Sequence, residues 1–241
     1  MLPKIDVPLY DLTIPSTGQS VKVRPFTVKE EKLLFMAVES GDAGEIVKTV
    51  LQVINNCIVN EDVDISKLPF FDIDYMFIFL RAKSIGESVE VNMTCNNELE
   101  DGRRCGNVFE TDMDISKVDI IKDDTISNDI KLDRNKGVIM KYPTYSLMKH
   151  IEGVSDIDKK TVIIINSIDK IYDEKGMYSS KDHSKDELKS FVEGLTQENY
   201  SKLEKYVDNF PTFAVRLDGK CTRCGFEHHV RYTDFTDFFL S

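Results

Sequence analysis

Four of the five cysteines fall into two pairs whose spacing suits metal chemistry: Cys95-x9-Cys105-Gly106 and Cys221-x2-Cys224-Gly225. In each pair the second cysteine precedes a glycine, which takes φ > 0 without steric cost and lets backbone N–H groups approach a sulfur. Two such turns offer four thiolates, the tetrahedral sulfur set that Zn²⁺ favours at about 2.3 Å per bond. Four protein ligands leave no open coordination position, so the expected cofactor is a structural Zn²⁺. Treated as a cross-link between segments more than a hundred residues apart, it would contribute on the order of 5 kcal/mol through chain entropy. The second pair has the usual knuckle spacing. The first departs from it, so NNELEDGRR must bulge out as an exposed loop. The alternatives are four unrelated thiols, or a redox C-x-x-C, which would normally open a helix, whereas an alternating strand follows here. His228 or His229 could also replace a cysteine ligand, but on an alternating strand they point to opposite faces, so at most one can face a metal. Cys57 lies on an apolar helical stripe and reads as a small core residue.

These turns must be held by strands. ESVEVNMTC alternates Val89, Val91 and Met93 against Glu90 and Asn92, and NVFETDMD reads as its return strand. TFAVRLDGKC at 212–221 and FEHHVRYTD at 226–234 repeat the strand, Cys, turn, strand layout. Ahead of them, DLTIPSTGQSVKVRPF predicts two short strands. Thr27 and Glu30 have the spacing of a capping box, so a helix is expected from Val28 to about Ser40, stopped by Gly41. Ile46, Val47, Val50, Leu51, Ile54 and Cys57 form the stripe of a second helix from Ala43. A third, from about Asp72 to Lys83, is apolar almost all round and predicts a buried position. Residues 114–135 are acidic and weakly patterned, and GVIMKYP at 137–143 resembles one more strand. Thr144 to Ile151 suits a short helix, and Asp156 to about Asp169 a longer one. Four β-branched residues, Val162 to Ile165, keep a strand as the alternative there. A surface hairpin or loop at 173–187 and helices at about 185–194 and 197–209 complete the reading.

The expected fold class is therefore α+β, a helical core with a split zinc-ribbon β module formed by two cysteine-tipped hairpins. The expected organisation is 1–85, N-terminal strands and helices; 86–113 with 212–234, the split ribbon; 114–211, a helical region with a surface loop; and 235–241, an aromatic tail. In that tail Phe235, Phe238, Phe239 and Leu240 must be covered, either by the chain's own core or by a partner.

The 241 residues carry 31 Lys and Arg against 42 Asp and Glu, a formal net charge of −11. That sign opposes non-specific binding to a nucleic-acid backbone. No apolar run is long enough for a membrane span and no h-region of a signal peptide opens the chain, so a soluble intracellular protein is expected. No phosphate loop, G-x-S-x-G, H-E-x-x-H or dinucleotide fingerprint occurs, and no histidine has a Ser or Cys partner at a nucleophilic spacing. Pairs such as Asp62 and Asp64, or Asp72 and Asp74, are expected on solvated faces and at helix caps. The residues thus point away from an enzyme. A zinc-ribbon adaptor for nucleic acid or transcription machinery is the competing reading, since Arg103, Arg104, Lys220 and Arg223 lie next to the thiols. Against it stand the net charge and the absence of basic runs with interleaved aromatics.

The blocks IPSTGQSVKVRPFTVKEEKLL and LPFFDIDYMFIFLRAKSIGE, with the hairpins MTCNNELEDGRRCGNVFE and GKCTRCGFEHHVRYTDF, resemble the T4-like bacteriophage baseplate proteins related to the baseplate hub assembly protein. The likeness runs over nearly the whole chain in order and spacing. It implies a non-enzymatic role in building the hub of a contractile tail baseplate, as an assembly factor or a hub subunit. The implied partners are other phage baseplate and hub proteins or further copies of the chain. The implied locations are the host cytoplasm during assembly and the tail baseplate of the virion. On this view Arg24 to Lys32 is a docking or core-entry segment, and Phe235 to Leu240 is a partner contact.

Overall fold

The fold was obtained as a computed structural model that describes residues 6–59, 63–151 and 153–233. It is a mixed helix and sheet protein whose chain separates into two compact units. The first comprises residues 1–65, 71–121 and 212–241; the second comprises 66–70 and 122–211.

The first unit opens with the expected hairpin, β1 (Tyr10–Thr13) and β2 (Ser20–Val23), closed by Gly18 at φ 69°. Helix α1 (Val28–Ser40) carries the complete Thr27/Glu30 capping box and ends on left-handed Gly41 at φ 68°. Helix α2 (Ala43–Cys57) is capped by Asp42, which accepts from the Glu45 N–H at 2.9 Å. Helix α3 (Phe70–Ser84) buries Phe71, Ile73, Met76, Phe77, Ile78 and Leu80, as its continuous apolarity demands. Asp72 corrects the expectation of a solvated carboxylate. It is fully buried and accepts from the Ser16 N–H at 2.9 Å and from the Ser16 hydroxyl, which ties the β1–β2 turn to α3. Burial pushes its carboxyl above the ordinary value, against those two donors.

Arg24 and Glu30 fix how the hairpin enters the helices. The guanidinium meets the carboxylate through two contacts of 2.9 and 2.8 Å, and also donates to the Asn56 and Pro25 carbonyls at 2.9 Å each. Its Nη1 lies 3.8 Å from Cys57 Sγ, while the Arg24 N–H donates to the Cys57 carbonyl at 2.9 Å. Cys57 is a fully buried core thiol, as its place on the stripe predicted, and burial drives it up to about 12.

Strands β3 (Ser88–Thr94) and β4 (Val108–Asp114) pair in register from Ser88–Asp114 to Thr94–Val108. Strand β5 (Val118–Ile121) follows within the stretch that reads as weakly patterned. Its partner is β10 (Thr212–Lys220), which it meets only through a pairing nearly a hundred residues away in the chain. Strand β10 is central in the order β11–β10–β5, with β11 (Glu227–Tyr232) on its other edge. A side chain cannot be added to Gly219 of β10 freely, since a Cβ there would lie 3.1 Å from Met93 Sδ and 3.2 Å from Phe109 Cε2. The backbone of β10 therefore lies close against the β3–β4 hairpin.

The second unit has a four-stranded antiparallel sheet in the order β6 (Asp129–Lys131), β7 (Gly137–Met140), β8 (Ile168–Asp173), β9 (Gly176–Ser179). The helices are α4 (Met148–Ile151), α5 (Asp156–Ser167), α6 (Lys185–Glu193) and α7 (Gln197–Val207). Its core joins Val138 and Met140 of β7, Ile164 and Ile165 of α5, Leu188 and Val192 of α6, and Leu203 and Tyr206 of α7. The β-branched run 162–165 is helical. Ser155 caps the segment by accepting from the Asp158 N–H at 3.3 Å, and the chain becomes a strand only after Ser167. The 173–187 stretch, expected as a surface hairpin or loop, holds the β8–β9 turn, in which Asp173 accepts from the N–H groups of Lys175 and Gly176 at 2.8 and 3.1 Å, then β9 and the start of α6.

The Arg24 guanidinium holds the Glu30 carboxyl down to about 2 from its ordinary 4.5, against burial and with help from Thr27. A depressed carboxyl contributes stability that is complete above about pH 4.5 and is lost as pH falls toward 2. Glu30→Gln is therefore expected to lower unfolding free energy at neutral pH by on the order of 2 to 3 kcal/mol. In urea titrations the gap between the two proteins should close as pH drops from about 5 to about 2. A gap that stays constant over that range would show that the ionised pair is not what the substitution removes.

Candidate metal centre

The two cysteine turns meet inside the first unit. Cys95, Cys105, Cys221 and Cys224 place their sulfurs within 4.8 Å of one another. Cys95 Sγ is 3.6 Å from Cys224 Sγ, and Cys105 Sγ is 3.9 Å from Cys221 Sγ. A tetrahedron with metal–sulfur bonds of about 2.3 Å has sulfur–sulfur edges of about 3.8 Å. The distances thus match a four-sulfur shell and are far too long for disulfides. Three of the residues are buried and Cys224 is half-buried.

The two turns share one backbone plan in spite of their unequal lengths. The Cys95 N–H donates to the Asn107 carbonyl at 2.8 Å and the Gly106 N–H to the Cys95 carbonyl at 3.0 Å. In the other turn the Cys221 N–H donates to the Phe226 carbonyl and the Gly225 N–H to the Cys221 carbonyl, both at 2.9 Å. Gly106 and Gly225 sit at φ 63° and 73°, the left-handed region that the sequence assigns to the residue after the second cysteine. The extra length of the first turn is an exposed excursion with hydrogen bonds of its own. The Cys105 N–H returns to the Asn97 carbonyl, the Leu99 N–H to Arg103 and the Gly102 N–H to Leu99, at 2.8, 2.8 and 2.9 Å.

Every sulfur receives a backbone donor. The Asn97 amide faces Cys95, the Asn107 amide Cys105, the Cys224 and Arg223 amides Cys221, and the Phe226 amide Cys224. Amide side chains add to this. Asn107 Nδ2 lies 3.6 Å from Cys221 Sγ and 3.1 Å from Thr222 Oγ1, and Asn97 Nδ2 lies 3.7 Å from Cys224 Sγ. Both bridge from the first turn to the second. The sequence carried a signal for them, since each first-half cysteine is followed two residues later by Asn.

The four sulfurs do not ionise alike. Burial pushes Cys95 up to about 12, opposed by the Asn97 amide and reinforced by Cys224. At Cys105 the Asn107 amide favours the thiolate, but burial and the Cys224 sulfur outweigh it and the thiol is raised. Burial also opposes ionisation at Cys221, yet the amides of Cys224 and Arg223 bring it down to about 6. The Phe226 amide holds Cys224 below its ordinary value. A buried group of four sulfurs that ionises in part is a site a metal cation could occupy.

The two histidines part as alternation requires. His228 is buried with Nε2 3.3 Å from Cys95 Sγ, its ring 4.9 Å from Phe226 and 5.6 Å from Phe109. His229 is exposed and meets Asp218 at 2.6 Å. His228 thus approaches the sulfur group from outside it as a neighbour of Cys95. Three of the four cations beside the thiols are engaged locally: Arg103 with Asp101, Lys220 with Glu227 at 3.3 Å, and Arg223 with the Cys105 carbonyl at 3.2 Å. Phe235, Phe238, Phe239 and Leu240 lie outside the described residues.

Among the described residues no helix is long and apolar enough to cross a membrane. A family model described as "T4 bacteriophage base plate protein" matches residues 7–240. Comparisons with curated proteins and with solved structures return no match.

An alanine at Gly106 or Gly225 must adopt a left-handed backbone, which costs a residue with a Cβ about 1 to 2 kcal/mol. Gly106→Ala and Gly225→Ala are each expected to lower unfolding free energy by about that amount in chemical denaturation. Gly176→Ala, at a turn glycine with ordinary φ and open space around it, should change stability far less.

Proposed function

Since the chain belongs to the T4 bacteriophage base plate protein family, we propose that it is a non-enzymatic component of baseplate hub construction whose four paired cysteines close around a structural Zn²⁺. The observation that carries the zinc reading is the convergence of four sulfurs, all within 4.8 Å of one another, from two turns of matching backbone geometry. A bound Zn²⁺ would supply a compact positive charge that lets all four thiols ionise together. Cys95, Cys105, Cys221 and Cys224 would be its ligands, leaving no coordination position for a substrate. The amides of Asn97, Asn107 and Phe226 and the side chains of Asn97 and Asn107 would orient the sulfurs and share their charge. Such a site locks backbone geometry and performs no reaction, which suits a protein that works through its surface.

Family membership implies contact with other baseplate proteins and supports a place in the virion tail. The hub role, and assembly in the host cytoplasm, are the finer parts of the proposal. They rest on the resemblance of the RPFTVKEEK block and the cysteine hairpins to proteins related to the hub assembly factor.

Elemental analysis of protein purified without a histidine tag is expected to give about one zinc per chain. Removal by chelator should raise amide exchange in β3, β4, β10 and β11 of the first unit ahead of the second unit's sheet. Metal-free protein with an unchanged exchange pattern would overturn the clip. For the biological role, phage carrying a null allele is expected to accumulate baseplate intermediates that lack a hub, as seen by sedimentation and electron microscopy. Complete baseplates formed without the protein would refute the hub assignment.

A further inference from the structure

An acidic chain leaves few places where positive charge gathers, yet one cavity of the second unit does so. It has a volume of about 720 Å³ and lies where the end of β7, the start of β8, the last turn of α5 and the first turns of α6 come together. Its lining includes Lys67, Lys141, Lys181, Lys185, His150 and His183. No Asp or Glu is among the described residues that line it, although acidic side chains outnumber basic ones by 42 to 31 in the chain. Four lysines with no carboxylate in the lining concentrate positive charge there.

Two of the lysines are held by neutral partners. Lys141 Nζ lies 3.5 Å from Ser180 Oγ, and Lys185 Nζ donates to Asn166 Oδ1. Burial pushes Lys141 below the ordinary lysine value, with Asp169 opposing the shift and Lys181 adding to it. Burial does the same to Lys185, with Lys141 adding. His183 Nδ1 lies 3.9 Å from Glu187 Oε1. Like charges gathered in this way are unfavourable to one another until an anion arrives. The floor beneath them is apolar, formed by Leu147, Ile165, Ile168 and Leu188.

We propose that this cavity is a docking site for an acidic segment of a partner polypeptide, its carboxylates received by Lys141, Lys181 and Lys185 and an apolar side chain of the same segment seated on the floor. The mixed lining is what selects this ligand class. A nucleic-acid backbone carries charge at every step but no aliphatic side chain for the floor, whereas a short polypeptide segment can present carboxylates and an apolar side chain together. The choice of a polypeptide partner rests on the reading of the chain as a baseplate component. The basic cavity itself does not.

The test uses the full chain and a fluorescently labelled peptide in which Asp and Leu alternate, followed by anisotropy. Saturable binding is expected at low salt, weakening as salt rises, with the Asn-for-Asp peptide failing to bind. Lys141→Gln with Lys185→Gln should weaken binding about tenfold or more. Lys181→Glu, at an exposed position, should do the same without touching the half-buried Lys141. Lys122→Gln, in an exposed pair with Asp124, should have no effect. No binding of the Asp peptide, equal binding of the Asn peptide, or binding indifferent to both the double and the Lys181 variants would overturn the proposal. Tighter binding of a single-stranded oligonucleotide that depends on the same lysines would overturn it in favour of nucleic acid. The assay needs only purified protein, so its failure is distinguishable from failure of the null-allele phage experiment.

Discussion

Four sulfurs held within 4.8 Å of one another in a largely buried place set the terms for the first unit. Such a group is unstable as four anions and wasteful as four thiols, since each sulfur already faces a backbone amide arranged for negative charge. Much of the surrounding structure can be understood as serving that proximity. Gly106 and Gly225 take the left-handed conformation that turns the chain back past the sulfurs, and Gly219 omits a side chain so that β10 can lie against Met93 and Phe109. Asn97 and Asn107 reach from one turn to the other. A cation at the centre, as proposed, would reconcile the charge and join segments far apart in the chain at one point.

Elsewhere in the same unit, polar groups are buried only where partners satisfy them. Arg24 is shared among Glu30, the Asn56 and Pro25 carbonyls and the Cys57 sulfur, and Glu30 also closes the α1 capping box. Asp72 is taken up by Ser16. No buried side-chain nitrogen or oxygen among the described residues lacks a hydrogen-bond partner. Each device pins the β1–β2 hairpin to a helix, so entry of the N-terminal segment into the core is fixed by directional bonds as well as by apolar burial. The RPFTVKEEK block, expected as a docking or core-entry segment, turns two of its charges, Arg24 and Glu30, toward one another and the core.

The second unit sorts charge in a different way. Its acidic and basic residues nearly balance, and the cavity beside β7 and α6 gathers lysines around an apolar floor. Local charge segregation of that kind is a property of the folded surface, since the contributing residues lie from Lys67 to Lys185 in the chain. Under the proposal above, such a cavity would attract a negatively charged segment.

Local signals in the sequence determined a good deal. The Thr27/Glu30 box, the Ala43–Cys57 stripe, the continuous apolarity of α3 and the two strand, Cys, Gly, strand units each act over a few residues, so the chain alone specifies them. The pairing of the cysteines was legible too, because spacing and the following glycine constrain which turns can present sulfurs. Strand β5 was not, since Val118–Ile121 is short and its partner lies nearly a hundred residues on. Nor was β8, whose start at Ile168 depends on pairing with β7. Tertiary structure alone decided that Asp72 is buried, that Arg24 meets Cys57, that His228 rather than His229 stands beside Cys95, and that scattered lysines share a cavity without carboxylates. The physical reason is common to all of these. Hydrogen-bonded turns and periodic faces are settled by neighbours in sequence, whereas burial, charge environment and sheet pairing are settled by neighbours in space, which the order of residues does not name.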